Sequence, residues 1–156
     1  MRPAESDYPE AHGGCQCGAV RFVISAGPAL ASLCHCRMCQ RASGNAFVAL
    51  YEVPATRISW AGATPREWAS SNISTRGFCA SCGTPLYLRT GDTYEFMAGC
   101  LCPGFPFRPT EQAGMESRLG WLDDLPALPA HATRPEWLAV VVSNQSPEDE
   151  CPNACA

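Results

Sequence analysis

Cysteine is the residue whose number and spacing carry chemistry in this chain. Seven cysteines fall in three tight groups: Cys15-Gln16-Cys17 followed by Gly18, Cys34-His35-Cys36-Arg37-Met38-Cys39, and Cys79-Ala80-Ser81-Cys82 followed by Gly83. A short turn aims two such sulfurs at one cation with little further ordering, and a glycine after the pair permits the positive φ that these turns often need. Zinc takes four ligands in a structural site and keeps a vacancy in a catalytic one. Groups of two, three and two match both kinds. Cys15, Cys17, Cys79 and Cys82 make one closed four-thiolate site, whose metal closes a loop of roughly 60 residues and so contributes to folding directly. Cys34, Cys36 and Cys39 then hold a second zinc with an open fourth position. The expected cofactor is zinc, two per chain.

Other partitions exist. The triplet could recruit His35 or His12 and become a second structural site, although His35 lies between two ligands and neighbours in a tight turn usually point apart. Any four cysteines could hold an iron–sulfur cluster, but the usual spacings are not matched. Cys100-Leu101-Cys102 ends a predicted strand, where alternation places both sulfurs on one face, as an accessory thiol pair or as small, partly buried side chains. Cys151 and Cys155 fall in the C-terminal tail and read as exposed free thiols.

The rest of the composition bounds what this chemistry serves. The chain has 156 residues, 46% of them hydrophobic, enough for one domain with its own core. A net charge of −4 argues against a nucleic-acid footprint, which needs a basic face. No apolar run is long enough for a membrane span. The beginning, MRPAESDYPEAH, has no apolar core of a secretory signal. The expected compartment is therefore the cytoplasm. There, cysteines at this density, odd in number at 11, read as metal ligands or reactive thiols rather than as a disulfide framework.

The elements that must position the cysteines are mostly short strands. Val20, Phe22 and Ile24 alternate with Arg21 and Ser25, the period of a half-buried strand. Ala46–Val53, Arg66–Trp68, Pro85–Arg89 and Thr93–Gly99 read as further strands. With 13 glycines and 14 prolines, long helices have little room, and the fold class is mainly β with few short helices. One helix is predicted where Thr133-Arg134-Pro135-Glu136 forms a capping box ahead of WLAVVV, although Val140, Val141 and Val142 favour strands. Residues 1–11 read as a loose polar leader, 12–143 as a single zinc domain and 144–156 as a flexible acidic tail.

At the cysteine groups the chain resembles the family named for glutathione-dependent formaldehyde-activating enzyme, which also includes centromere protein V. The resemblance rests on GGCQCGAVRF at 13–22, CHCRMCQRASG at 34–44 and GFCASCGTPLY at 77–87. It continues more weakly in EFMAGCL at 95–101 and GWLDDLP at 120–126, and spans most of the chain, to about Pro129. It implies a mainly β, tent-like arrangement of short antiparallel sheets around zinc knuckles. It also implies Cys15, Cys17, Cys79 and Cys82 as structural ligands, and Cys34, Cys36 and Cys39 as ligands of the active-site zinc. The implied activity is that of a carbon–sulfur lyase, joining glutathione and formaldehyde to S-hydroxymethylglutathione. The partners are then a small thiol and an aldehyde. Glutathione carries two carboxylates, so a binder should offer arginines; Arg37, Arg41, Arg76 and Arg89 lie near the groups, with Arg41 the chosen substrate contact. The chain departs from the family at Cys100 and Cys102, where Thr and Asp are commoner, and in PTEQAGMES at 109–117. The competing function is a zinc-stabilised binding module without catalysis.

Overall fold

The computed structural model describes residues 5–146. Eleven short strands carry the fold among these residues: β1 (Ser6–Tyr8), β2 (Ala11–Gly14), β3 (Val20–Ile24), β4 (Gly27–Cys34), β5 (Val48–Pro54), β6 (Ile58–Gly62), β7 (Arg66–Ala69), β8 (Ser74–Phe78), β9 (Pro85–Thr90), β10 (Thr93–Met97) and β11 (Glu111–Ala113). Two short α-helices accompany them, α1 (Arg37–Ser43) and α2 (Pro135–Leu138). The larger sheet has the order β1-β4-β5-β10-β9-β8-β7, with β11 added to β4; the smaller is β2-β3-β6. All pairings are antiparallel except β11 with β4. The mainly β expectation therefore stands.

The strands form where the period-two pattern meets a core. In β3, Val20, Phe22 and Ile24 are buried while Arg21 and Val23 are less so, which turns one face of the smaller sheet inward. That face meets the aromatic side of the larger sheet. Phe22 packs on Phe96 with ring centroids 4.4 Å apart, and Trp60 and Tyr87 each contact Phe96. Tyr51 and Phe96 are fully enclosed. This aromatic layer is a rigid floor behind the turns that carry the cysteines.

Several boundaries differ from the sequence reading, for physical reasons. The segment read as a loose leader contributes β1, paired with β4, and begins β2; Tyr8 and Ala11 are buried in the core. Backbone pairing and one aromatic anchor suffice there, although the composition is polar. The predicted strand Thr93–Gly99 ends at Met97, and Ala98–Cys100 turns as a 3-10 helix. The predicted capping box does not form: Arg134, not Thr133, is the N-cap, no side chain caps the helix, and α2 is a single turn. Val140, Val141 and Val142 lie outside it and are exposed. Of the predicted tail, Ser146 is held by its N–H donating to Gln16 O at 2.8 Å; residues 147–156, with Cys151 and Cys155, lie outside the described residues. No helix among the described residues is long and apolar enough to cross a membrane.

Candidate metal centres

The first and third cysteine groups sit on two matching turns. Cys15 and Cys17 occupy the turn between β2 and β3, where Gly18 N–H donates to Cys15 O at 3.1 Å. Cys79 and Cys82 occupy the turn between β8 and β9, where Gly83 N–H donates to Cys79 O at 2.9 Å. Gly18 (φ 84°) and Gly83 (φ 77°) both adopt the left-handed conformation that the sequence assigned to them. The turns face each other across the gap between the two sheets. Cys15 Sγ lies 3.5 Å from Cys17 Sγ, which lies 3.8 Å from Cys79 Sγ, and all four sulfurs fall within 4.8 Å of one another. Zinc–sulfur bonds of about 2.3 Å imply tetrahedral sulfur separations of roughly 3.8 Å, so the four sulfurs fit such an ion.

Neutral donors meet two of its sulfurs, and the Arg21 guanidinium donates to Cys15 O at 3.1 Å. Val20 N–H donates to Cys15 Sγ at 3.2 Å, and the Thr84 hydroxyl stands 3.1 Å from Cys82 Sγ. The sulfurs also trade protons. At Cys82 burial raises the thiol, but Thr84 and Cys17 outweigh it and bring the pKa down to about 6. At Cys17 the Ala19 N–H pulls downward, but the Cys82 and Cys15 sulfurs outweigh it and push the pKa up to about 11. An entering cation would therefore meet sulfur that is already anionic and displace the shared protons from the rest.

The middle group is built differently, on the corner between β4 and α1. Cys34 ends β4, Cys36 is the N-cap of α1, and Cys39 is buried inside the helix. Cys39 N–H donates to Cys36 Sγ at 3.4 Å, so a candidate ligand also caps the helix. The three sulfurs lie within 4.8 Å of one another, with no fourth His, Cys, Asp or Glu among the described residues completing the group. Burial pushes the Cys34 thiol up to about 12. At Cys36 burial also raises the thiol, but the Cys39 N–H and the neighbouring sulfurs outweigh it and lower the pKa.

His35 turns away from this group. It is 2% exposed, its ring packs beside Phe47, and its Nε2–H donates to Gln112 Oε1 at 2.9 Å. His12 is paired with Glu10 instead. Neither histidine completes the triplet.

Residues 111–117, within the stretch 109–117 singled out in the sequence, prove to be the clamp on this corner. β11 lies parallel to β4 with Ala113 opposite Cys34, and His35 N–H donates to Ala113 O at 2.9 Å. Gln40, 3% exposed, donates from Nε2 to His35 O at 2.7 Å and to Ser117 O at 2.9 Å. Gly114 presses on the corner so closely that a Cβ there would stand 2.6 Å from Cys36 N. Sequence reasoning missed Gln40, Gln112 and Gly114. The signal for Gln40 was its place directly after Cys39; nothing in the sequence pairs β11 with β4.

The four arginines near the groups separate. Arg89 forms an ion pair with Glu67 (2.9 Å) and stacks on Tyr94. Arg37 donates to Gln40 Oε1 at 2.7 Å. Arg76 donates from Nη2 to Cys39 Sγ at 3.6 Å. Arg41 is exposed on α1 and, with Met38, Ala42, Trp68, Ser70 and Arg76, lines a groove of about 340 Å³ that none of the three cysteines lines and that meets Cys39 only through Arg76.

The remaining cysteines are not one pair on a strand. Cys100 is buried in the 3-10 turn, its Sγ–H donates to Pro85 O at 3.2 Å, and burial pushes its pKa up to about 12, so it is inert. Cys102 is disulfide-bonded, which corrects the reading of it as a small buried thiol. The seven clustered cysteines and Cys100 are free.

No curated protein matches the sequence. A crystal structure of a Rhodobacter sphaeroides protein from structural genomics shares the fold, with a TM-score of 0.52 at 17% identity, covering 65% of this chain and 98% of that one. The family model described as glutathione-dependent formaldehyde-activating enzyme matches residues 10–115, which hold all three cysteine groups, and the chain belongs to that family.

Proposed function

We propose that the chain is a zinc-dependent carbon–sulfur lyase that joins a small thiol to a small aldehyde. Family membership makes glutathione and formaldehyde the first substrates to try. On this reading it holds two zinc ions in the cytoplasm. One is structural, on Cys15, Cys17, Cys79 and Cys82; the other lies on Cys34, Cys36 and Cys39. The observation that carries the reading is the incomplete triplet: three convergent sulfurs with no fourth ligand among the described residues, joined through Arg76 to a groove that Arg76 and Arg41 line.

Zinc bound to three thiolates would offer its fourth position to the substrate thiol and favour the thiolate form. The chain's own residues do the rest. Cys34, Cys36 and Cys39 hold the ion and do not attack. The groove holds the thiol's non-reacting part, with Arg41 as contact for a carboxylate. The aldehyde carbon then meets a sulfur whose encounter entropy is already lost. The balance is simple: a carbon–sulfur bond forms, the carbonyl π bond breaks, and the proton that leaves sulfur ends on the aldehyde oxygen.

The test is titration of the zinc-loaded protein with glutathione by calorimetry in two buffers of different ionisation enthalpy. Binding with proton release, lost in a folded Cys34→Ser variant, is the expected result. Absence of thiol binding at millimolar concentration would replace the enzyme by a zinc-stabilised binding module.

A further inference from the structure

The two cysteine groups differ in the charge that faces them. Three thiolates around a divalent cation leave one negative charge, and a thiolate arriving as fourth ligand makes two. The four-cysteine group reaches that charge once, as the protein folds. The triplet, read as an open site, must reach it with every ligand that enters. The sulfurs of the four-cysteine group receive a backbone N–H and stand beside a hydroxyl, both neutral, and the nearby Arg21 guanidinium donates to the Cys15 carbonyl at 3.1 Å. The triplet receives a guanidinium: Arg76 Nη2 donates to Cys39 Sγ at 3.6 Å.

This contact is built by the sheet. Arg76 lies on β8, opposite Leu88 of β9 and Trp68 of β7, so its side chain reaches α1 from a paired strand. Cys39 is 3% exposed, which shields the N–H···S bond from water and strengthens it. The second nitrogen, Nη1, is buried and makes no hydrogen bond to the protein. A buried cationic donor with capacity to spare is costly and marks a place suited to negative charge. The groove that Arg76 lines with Arg41 holds no carboxylate, and the carboxylate that feels the charge of Arg76 is Glu95 on β10.

We infer that Arg76 is the positioning residue of the open site. It fixes Cys39 Sγ and supplies the positive charge that lets an anionic fourth ligand, a thiolate, enter beside three thiolates already there. The inference rests on reading the triplet as a metal site open to thiols.

The test uses the full chain loaded with cobalt(II) in place of zinc, as wild type, Arg76→Gln and Arg76→Lys. Three readouts are followed: the sulfur-to-cobalt charge-transfer band without added ligand, binding of 2-mercaptoethanol, and binding of imidazole, a neutral ligand. In Arg76→Gln the lost donor should move the band to lower energy. It should weaken 2-mercaptoethanol by roughly tenfold or more and leave imidazole within about twofold, inside the usual scatter for an untouched site. Arg76→Lys should recover most of the thiol affinity. An unmoved band, or equal weakening of both ligands, would overturn the inference. Should Arg76→Gln fail to fold, Arg76→Lys decides: a wild-type preference for thiol over imidazole supports the charge role, and its loss refutes it. Wild-type protein that binds neither ligand would sink the open-site reading together with this inference. Wild type that binds thiol, with Arg76→Gln binding it equally, would sink the inference alone.

Discussion

At Glu95 the sheet places a carboxylate where water is scarce. It sits on β10 directly opposite Glu52 of β5. Burial, then the charge of Glu52, raises its pKa from the ordinary 4.5 to about 6, against the pull of Arg76. The folded chain therefore keeps a proton between about pH 4.5 and 6 that the unfolded chain has released, so stability falls as pH rises through that window. Above it, the ionised carboxylate is a standing cost. Glu95→Gln should be more stable than wild type by about 1–2 kcal/mol at pH 8, with the advantage gone at pH 4. Urea unfolding at both values checks this, and a difference independent of pH would assign the effect to packing. Gly114 shows the opposite kind of constraint. Its φ of 67° excludes most side chains, and the Cys36 backbone fills the space where a Cβ would go. Gly114→Ala should cost roughly 2–4 kcal/mol and lower metal affinity at Cys34, Cys36 and Cys39 before it unfolds the domain. Chelator competition would show this as one weakened metal and one unchanged metal per chain.

Among the elements, α1 is the one that the sequence hides and the candidate chemistry most needs. Its residues RMCQRAS show no apolar period, and its inward face is Cys39 and Gln40. The helix is held instead by the Cys36 sulfur at its N-cap and by Gln40, whose amide serves two carbonyls across the corner. Gln40→Leu keeps the bulk and leaves His35 O and Ser117 O without that donor. It should cost about 1–3 kcal/mol, read as a lower Tm, and loosen β11 from β4, read as faster hydrogen exchange at His35 N–H. An unchanged exchange rate would mean that β11 is held without Gln40. By contrast, β3 is legible because Val20, Phe22 and Ile24 report burial at period two. The two turns that carry cysteine pairs are legible because cysteine pairs with a following glycine demand one backbone shape. β1 and β11 are not legible: both are three residues long, and their positions are fixed by the partner strand β4 rather than by their own residues. The capping box before α2 was legible and misleading, since a four-residue motif promotes a helix only where an apolar face has something to cover, and Trp137 and Leu138 are exposed.

For the molecule as a whole, the two cysteine groups differ most in the length of chain that they join. Cys17 and Cys79 are 62 residues apart and belong to different sheets. The turn between β2 and β3 meets the turn between β8 and β9 through these sulfurs, the Gln16 N–H to Thr84 hydroxyl bond and the neighbouring core. A metal there closes a long loop and fastens the smaller sheet to the larger. Cys34, Cys36 and Cys39 span six positions of one corner, which β4, β11 and Gln40 already hold. Loss of metal should therefore act globally at the first site and locally at the second. Cys79→Ser, melted with zinc present, should lose the cooperative transition or show a sharply lower Tm, since metal binding at such a site is folding free energy. Cys36→Ser should keep a cooperative transition within a few degrees of wild type, because the serine hydroxyl can still cap α1 and only one ligand is lost from a corner already held. Elemental analysis should give two zinc ions per chain in the wild type and one in Cys36→Ser. Equal collapse of both variants would make the triplet a second fastening of the fold, and a structural ion there would leave no position for a thiol to enter.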